Sequence, residues 1–177
     1  MALAPMAGFA APAPAPAWAA ELPGQEPAGG ISGRACQATP VGGGQALIPS
    51  HCLARSGAGS GRDYEFAPWT QGAEARVLAR GDLARQTRSP GDRVWVRAPG
   101  GWIRARVLLA SGPEYWIESV EGPFCPGDSG SQAWASEGGA WRLVGMVVSG
   151  GYPDMPGMCS RRAVALKREA IDWPWGR

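Results

Sequence analysis

Two residues in this chain have the types that acyl-transfer chemistry needs, and they lie far apart: His51 and Ser129. Ser129 stands in "FCPGDSGSQAW", residues 124–134, where glycines and a proline surround one aspartate and two serines. A serine hydroxyl attacks only when a base takes its proton, and His51 is the sole histidine among 177 residues. If Ser129 is a nucleophile, His51 must serve it. Taken singly, each residue has an ordinary explanation: a serine in a glycine-rich turn, a histidine capping a strand. Cysteines accompany both, Cys36 and Cys52 near the histidine and Cys125 and Cys159 on either side of the serine. Four cysteines allow three pairings, and sequence alone does not choose among them. There is no C-x-x-C pair, and the histidine adjoins Cys52 instead of facing a second ligand, so no metal and no cofactor is expected. As disulfides, the cysteines imply an oxidising compartment, outside the cell or in the periplasm.

The elements that must position these residues are strands. Apolar or aromatic residues alternate with polar ones in "RDYEFAPW", "EARVLAR", "DRVWVRAP", "GWIRARVLL", "EYWIESV" and "WRLVGMVVSG", separated by Gly, Pro and Ser clusters. This is an all-β pattern, and "APGG" predicts a hairpin joining Val94–Val96 to Trp102–Ile103. Only "LKREAIDW", residues 166–173, has a helical look, and Pro174 stops it. Most of the nine tryptophans fall in alternating strands, where a large ring faces a core. The first thirty residues differ in kind, being rich in alanine and proline without lysine or arginine. They predict a signal peptide or a disordered linker: Ala17-Trp18-Ala19 offers a small-x-small cleavage pattern, while the basic n-region of an export signal is missing. No stretch is long and apolar enough for a transmembrane helix. The net charge is +2, the arginines are dispersed and Lys167 is the only lysine, which excludes a nucleic-acid-binding surface.

With these residues in view, the chain resembles the trypsin/chymotrypsin family of serine proteases, in a small bacterial-type form. "CQATPVGGGQALIPSHCLA" is similar to the family's strand pair ending in the catalytic histidine, where one cysteine follows the histidine and its partner lies fifteen residues before it. "CPGDSGS" resembles the nucleophile loop, with a cysteine four residues before the serine. The resemblance covers most of the chain after Arg34. It implies two antiparallel β-barrels, the first trimmed, with residues 31–90 forming the N-terminal half and residues 91–177 the C-terminal half and a short terminal helix. It implies the pairings Cys36 with Cys52 and Cys125 with Cys159. It further implies His51 as base, Ser129 as nucleophile, and the backbone N–H groups of Gly127 and Ser129 as oxyanion donors. For the carboxylate that orients His51, "GDLA" points to Asp82; Asp63 reads as a solvated strand entry and Asp92 as a turn residue.

The departures shape the remaining expectations. Ser131 and Gln132 replace the glycine and proline usual after the nucleophile loop, and "GGISG" lies too near Cys36 to serve as an activation sequence. The resemblance implies that Pro123 stands at the base of the primary pocket, where an aspartate would select Arg or Lys; with Phe124, and with Ser149, Gly150 and Gly151 along the substrate strand, it implies an apolar or small P1 residue. The expected activity is a monomeric, secreted or periplasmic serine endopeptidase acting on polypeptides. An inactive homologue used as a binding module is the alternative, and a disulfide-stapled structural β-domain a more remote one. An α/β-hydrolase is excluded: residues 127–131 end in serine where its G-x-S-x-G elbow has glycine, and the only histidine precedes the nucleophile.

Overall fold

Alternation becomes a closed surface in the second half of the chain. Along β5 (Arg93–Ala98), β7 (Glu114–Ser119) and the Ile103–Val107 part of β6 (Gly101–Ser111), every second side chain is buried. Val94, Val96, Ile103, Ala105, Val107, Tyr115 and Ile117 form the inner set, joined by Phe124, Val144 and Val147. The outward set is charged and paired across strands: Arg106 and Arg162 bond to Glu118, and Arg104 bonds to Glu121 while lying over the Trp95 ring. With β8 (Gln132–Glu137), β9 (Ala140–Gly150) and β10 (Arg162–Lys167), these strands close an antiparallel barrel in the order β10-β7-β6-β5-β8-β9. The β5–β6 hairpin has the expected register, with Val96 opposite Ile103 and Arg97 opposite Trp102.

The protein is described as a computed structural model at residues 16, 17, 19, 22–29, 35–53, 63–69, 76–150 and 158–175. Its first half is a four-stranded antiparallel sheet, β1 (Glu26–Gly29), β2 (Ala35–Gly42), β3 (Gln45–Pro49) and β4 (Tyr64–Pro68), hydrogen-bonded in that order. The trimming goes further than a shortened barrel: among the described residues this sheet does not close. It is stabilised by what it leans on. Val41, Leu47, Tyr64 and Leu78 pack against Trp102, Trp134, Leu143, Met146, Leu166 and Ile171 of the barrel half in one shared cluster. Trp134, at 0% exposure, is the largest fully buried side chain of that interface, and truncating such a ring costs about 3–5 kcal/mol. A smaller cluster of Cys36, Ala38, Ala46, Ile48 and Cys52 lies elsewhere in the sheet, with Ala67 and Trp69 against it.

Three local expectations are corrected. The described part of the leader is not a linker, since Glu26–Gly29 pairs in register with Ala35–Ala38 and Ala19 is buried in the shared cluster. Its alanines and prolines need no strand propensity of their own once β2 offers a free edge. Residues 76–79 of "EARVLAR" are extended but outside any strand, tethered by Leu78 N–H to the Pro40 carbonyl. The terminal helix is a single 3-10 turn, Arg168–Ala170. Leu166 and Lys167 are claimed by β10, leaving too few residues before Pro174 to offset helix nucleation.

Disulfides join Cys36 to Cys52 and Cys125 to Cys159. The first closes a separation of 16 residues, a loop whose closure is worth about 3 kcal/mol in chain entropy. Replacing Cys36 and Cys52 together by serine should therefore lower stability by about 3 kcal/mol in urea unfolding; an unchanged midpoint would show that the bridge constrains nothing the fold does not already hold.

Candidate active site

The nucleophile loop is docked by backbone. The Ser129 carbonyl accepts the Gln37 N–H at 2.7 Å, and the Gly130 N–H reaches the Val147 carbonyl at 2.7 Å, so adjacent residues bind opposite halves of the molecule. Gly130 has φ +90°, and a Cβ there would stand 1.8 Å from the Gln37 carbonyl oxygen. Only glycine permits that approach. Gln37 follows Cys36, whose bridge leads to Cys52 beside His51. A His51 ring nitrogen and the two sulfurs lie within 4.8 Å of one another. This cluster is not a metal centre, because both sulfurs are spent on the disulfide. One hydrogen bond and one disulfide thus link the Ser129 backbone to the turn that carries His51.

Within the loop, the N–H groups of Asp128, Gly130 and Ser131 are bonded to Cys125, Val147 and Asp128 carbonyls. Those of Gly127 and Ser129 find no acceptor among the described residues. Two unpaired donors two residues apart, one on a glycine at φ +102°, are what an incoming oxyanion needs. Asp128 is 7% exposed and its carboxylate accepts the Cys125 N–H at 2.7 Å. Ser131 and Gln132 are fully buried structural residues.

His51 sits in a 3-10 turn, Ser50–Cys52, at the end of β3. It opens into a cleft of about 360 Å³ between the halves, lined by Ser50, His51 and Asp63 on one side and Glu114, Val148, Ser149 and Val164 on the other. Asp82 is not on its wall. The Asp82 carboxylate is held by Arg76 Nη2 at 2.6 Å and by the Ala79 N–H at 2.8 Å. The following residues, Leu83 and Ala84, bond to Leu143, which stands roughly 20 Å along β9 from Ser149 at the usual strand rise. Asp63, an exposed residue, lines the His51 cleft, and Asp82 does not. Asp63 immediately precedes β4, the strand paired with β3; Pro49 opposes Tyr64, and the Ser50 N–H donates to the Asp63 carbonyl at 3.0 Å. Asp63 is exposed at the entry to β4, in keeping with its reading as a solvated strand entry, and its nearness to His51 follows from β3–β4 pairing that no local pattern reveals.

The specificity residues divide. Ser149 lies on the cleft, and Gly150 ends β9. Pro123 is half-buried. Phe124 is no cleft wall: it is 0% exposed in the barrel core, pinned by a two-way backbone bridge to Ser160. Gly151 lies outside the described residues.

Burial pushes the Asp128 carboxyl up to about 6, against the pull of the Cys125 N–H bond. A folded-state value above the unfolded one means that the native protein binds the proton more tightly, so stability falls as pH rises from about 4 to about 6. By that linkage Asp128→Asn should be more stable than wild type by up to about 3 kcal/mol at pH 7.5, the gap closing near pH 4. Urea unfolding of both proteins at the two pH values checks this; a gap independent of pH would contradict it.

No known family model matches the sequence, and no curated protein does. Solved structures do. An inactive form of Rv3671c from M. tuberculosis H37Rv superimposes with a TM-score of 0.62 at 17% identity, over 92% of this chain and 93% of that one. The active form of the Rv3671c protease gives 0.57 at 16%, over 97% and 91%. Kallikrein-related peptidase 10 gives 0.55 at 18%, over 81% and 87%. The likeness is one of fold: this chain has the fold of the trypsin/chymotrypsin-like proteases.

Proposed function

We propose that the protein is a serine endopeptidase, working through an acyl-enzyme on Ser129. The observation that carries this reading is the pair of unpaired N–H donors at Gly127 and Ser129, on a loop docked beside the disulfide that anchors His51. His51 takes the Ser129 proton and returns it to the leaving amine, while the two donors hold the oxyanion. Asp63, not Asp82, orients His51, since Asp63 shares its cleft and Asp82 is committed to Arg76 and Ala79. Pro123 brings no charge to the primary pocket, which favours apolar or small P1 residues. Two disulfides suit an exported, oxidised protein acting as a monomer on polypeptides. Among the described residues no helix is long and apolar enough to cross a membrane.

A fluorophosphonate probe should label the oxidised protein covalently, and Ser129→Ala should abolish labelling. A folded, oxidised protein that stays unlabelled would favour the inactive, ligand-binding alternative. Asp63→Asn should cut turnover by about 10⁴, the usual loss when a triad carboxylate is removed. Asp82→Asn should leave turnover within a few-fold and cost at most about 1 kcal/mol, because its partner Arg76 is largely exposed. The reverse ranking of the two variants would restore Asp82 as the orienting carboxylate.

A further inference from the structure

Behind the nucleophile loop runs a short strap of chain, Pro23–Gln25, bonded on three sides. The Pro23 carbonyl accepts Arg97 Nη1 at 2.9 Å. Gly24 donates to the Arg76 carbonyl at 2.7 Å and accepts Gln132 Nε2 at 2.9 Å. Gln25 is the hub: its Oε1 accepts the Gln132 backbone N–H at 2.8 Å, and its Nε2 donates to the Arg97 carbonyl at 2.6 Å, with Gln37 Oε1 at 3.5 Å. Gln132, 1% exposed, spends its own side chain on the same network, donating to Thr39 Oγ1 and accepting the Trp134 indole N–H. One glutamine side chain therefore bonds the residue three positions beyond Ser129 and reaches the residue whose N–H holds the Ser129 carbonyl. Buried amides satisfied in this way are costly to leave half-paired, so the network has one favoured arrangement.

We infer that Gln25 is a positioning residue for the reaction: through Gln132 and Gln37 it fixes both ends of the segment 129–132, and with it the placement of Ser129 and its N–H donor. The device is neutral: amide and carbonyl groups hold the loop without an ion pair. Arg97 serves it from the barrel, its guanidinium pKa lowered by burial and its hydrogen bond spent on a neutral carbonyl. This inference rests on the peptidase reading of Ser129, and the experiment separates the two.

The variants are Gln25→Ala, which removes both amide bonds, and Gln25→Glu, which keeps the acceptor for Gln132 N–H but cannot donate to the Arg97 carbonyl. Amide hydrogen exchange over residues 129–132 should quicken at least tenfold in Gln25→Ala and less in Gln25→Glu, a readout independent of catalysis. Peptide hydrolysis should lose kcat by 10- to 100-fold in Gln25→Ala with KM changed less than threefold, and Gln25→Glu should recover part of the loss. If Gln25→Ala does not fold, Gln25→Glu alone must show an intermediate loss of kcat. Unchanged exchange, or wild-type kcat in folded variants with only a lower melting temperature, would overturn the inference while leaving the peptidase intact. If wild-type protein is not labelled by the fluorophosphonate, the peptidase reading fails and this inference fails with it.

Discussion

Everything in this site hangs on one close approach, the Gln37 carbonyl lying where a side chain on Gly130 would be. The proposed base and nucleophile reside on different halves of the chain, so their geometry is only as good as the contact that registers those halves. That contact is backbone against backbone, with the Ser129 carbonyl on the Gln37 N–H as its directional bond. A side chain cannot mediate it without separating the two groups by more than a catalytic proton transfer tolerates. The glycine at 130 is thus a requirement of the interface more than of the turn. The Cys36–Cys52 bridge extends the same registration one residue further, to His51.

Around that approach the molecule distributes its apolar residues unevenly. The closed barrel has an interior of its own, whereas the first sheet has only four described strands and borrows the barrel's outer surface. The four described strands of that half are those that lead to His51 and Asp63 and that carry the docking edge at Gln37. Trp102 and Trp134 fill the seam, and Gln132 is tolerated there because all its hydrogen-bonding groups are matched.

What could be read from letters was what depends on short-range spacing. The offsets of Cys36, His51 and Cys52, and of Cys125 and Ser129, pointed to the two loops, and period-two alternation outlined β5, β6, β7 and β9. What could not be read depends on which strand lies beside which. "GDLA" points to Asp82 by a local pattern, and its carboxylate is bonded to Arg76 and Ala79, whereas the β3–β4 register that brings Asp63 to the His51 cleft has no local signature. β1 escaped notice because its Ala/Pro composition carries no strand signal and its partner supplies the order. Phe124 read as a pocket residue from its offset to Ser129, but its bridge to Ser160 turns the ring inward. Gln25 offered no local signal at all, since its meaning lies in partners as distant as Arg97 and Gln132.

The shared seam also bears on when the two halves of the molecule can assemble. A ribosome delivers β1–β4 first, and these strands lack the surface they must cover until Leu166 of β10 and Ile171 have emerged. His51 therefore waits, attached to a half that has no complete core, while Ser129 sits on a barrel that cannot close before its last strand. The order of synthesis acts as a delay: the two halves meet only once β10 and Ile171 have emerged, so His51 and the loop that carries Ser129 come together late in folding.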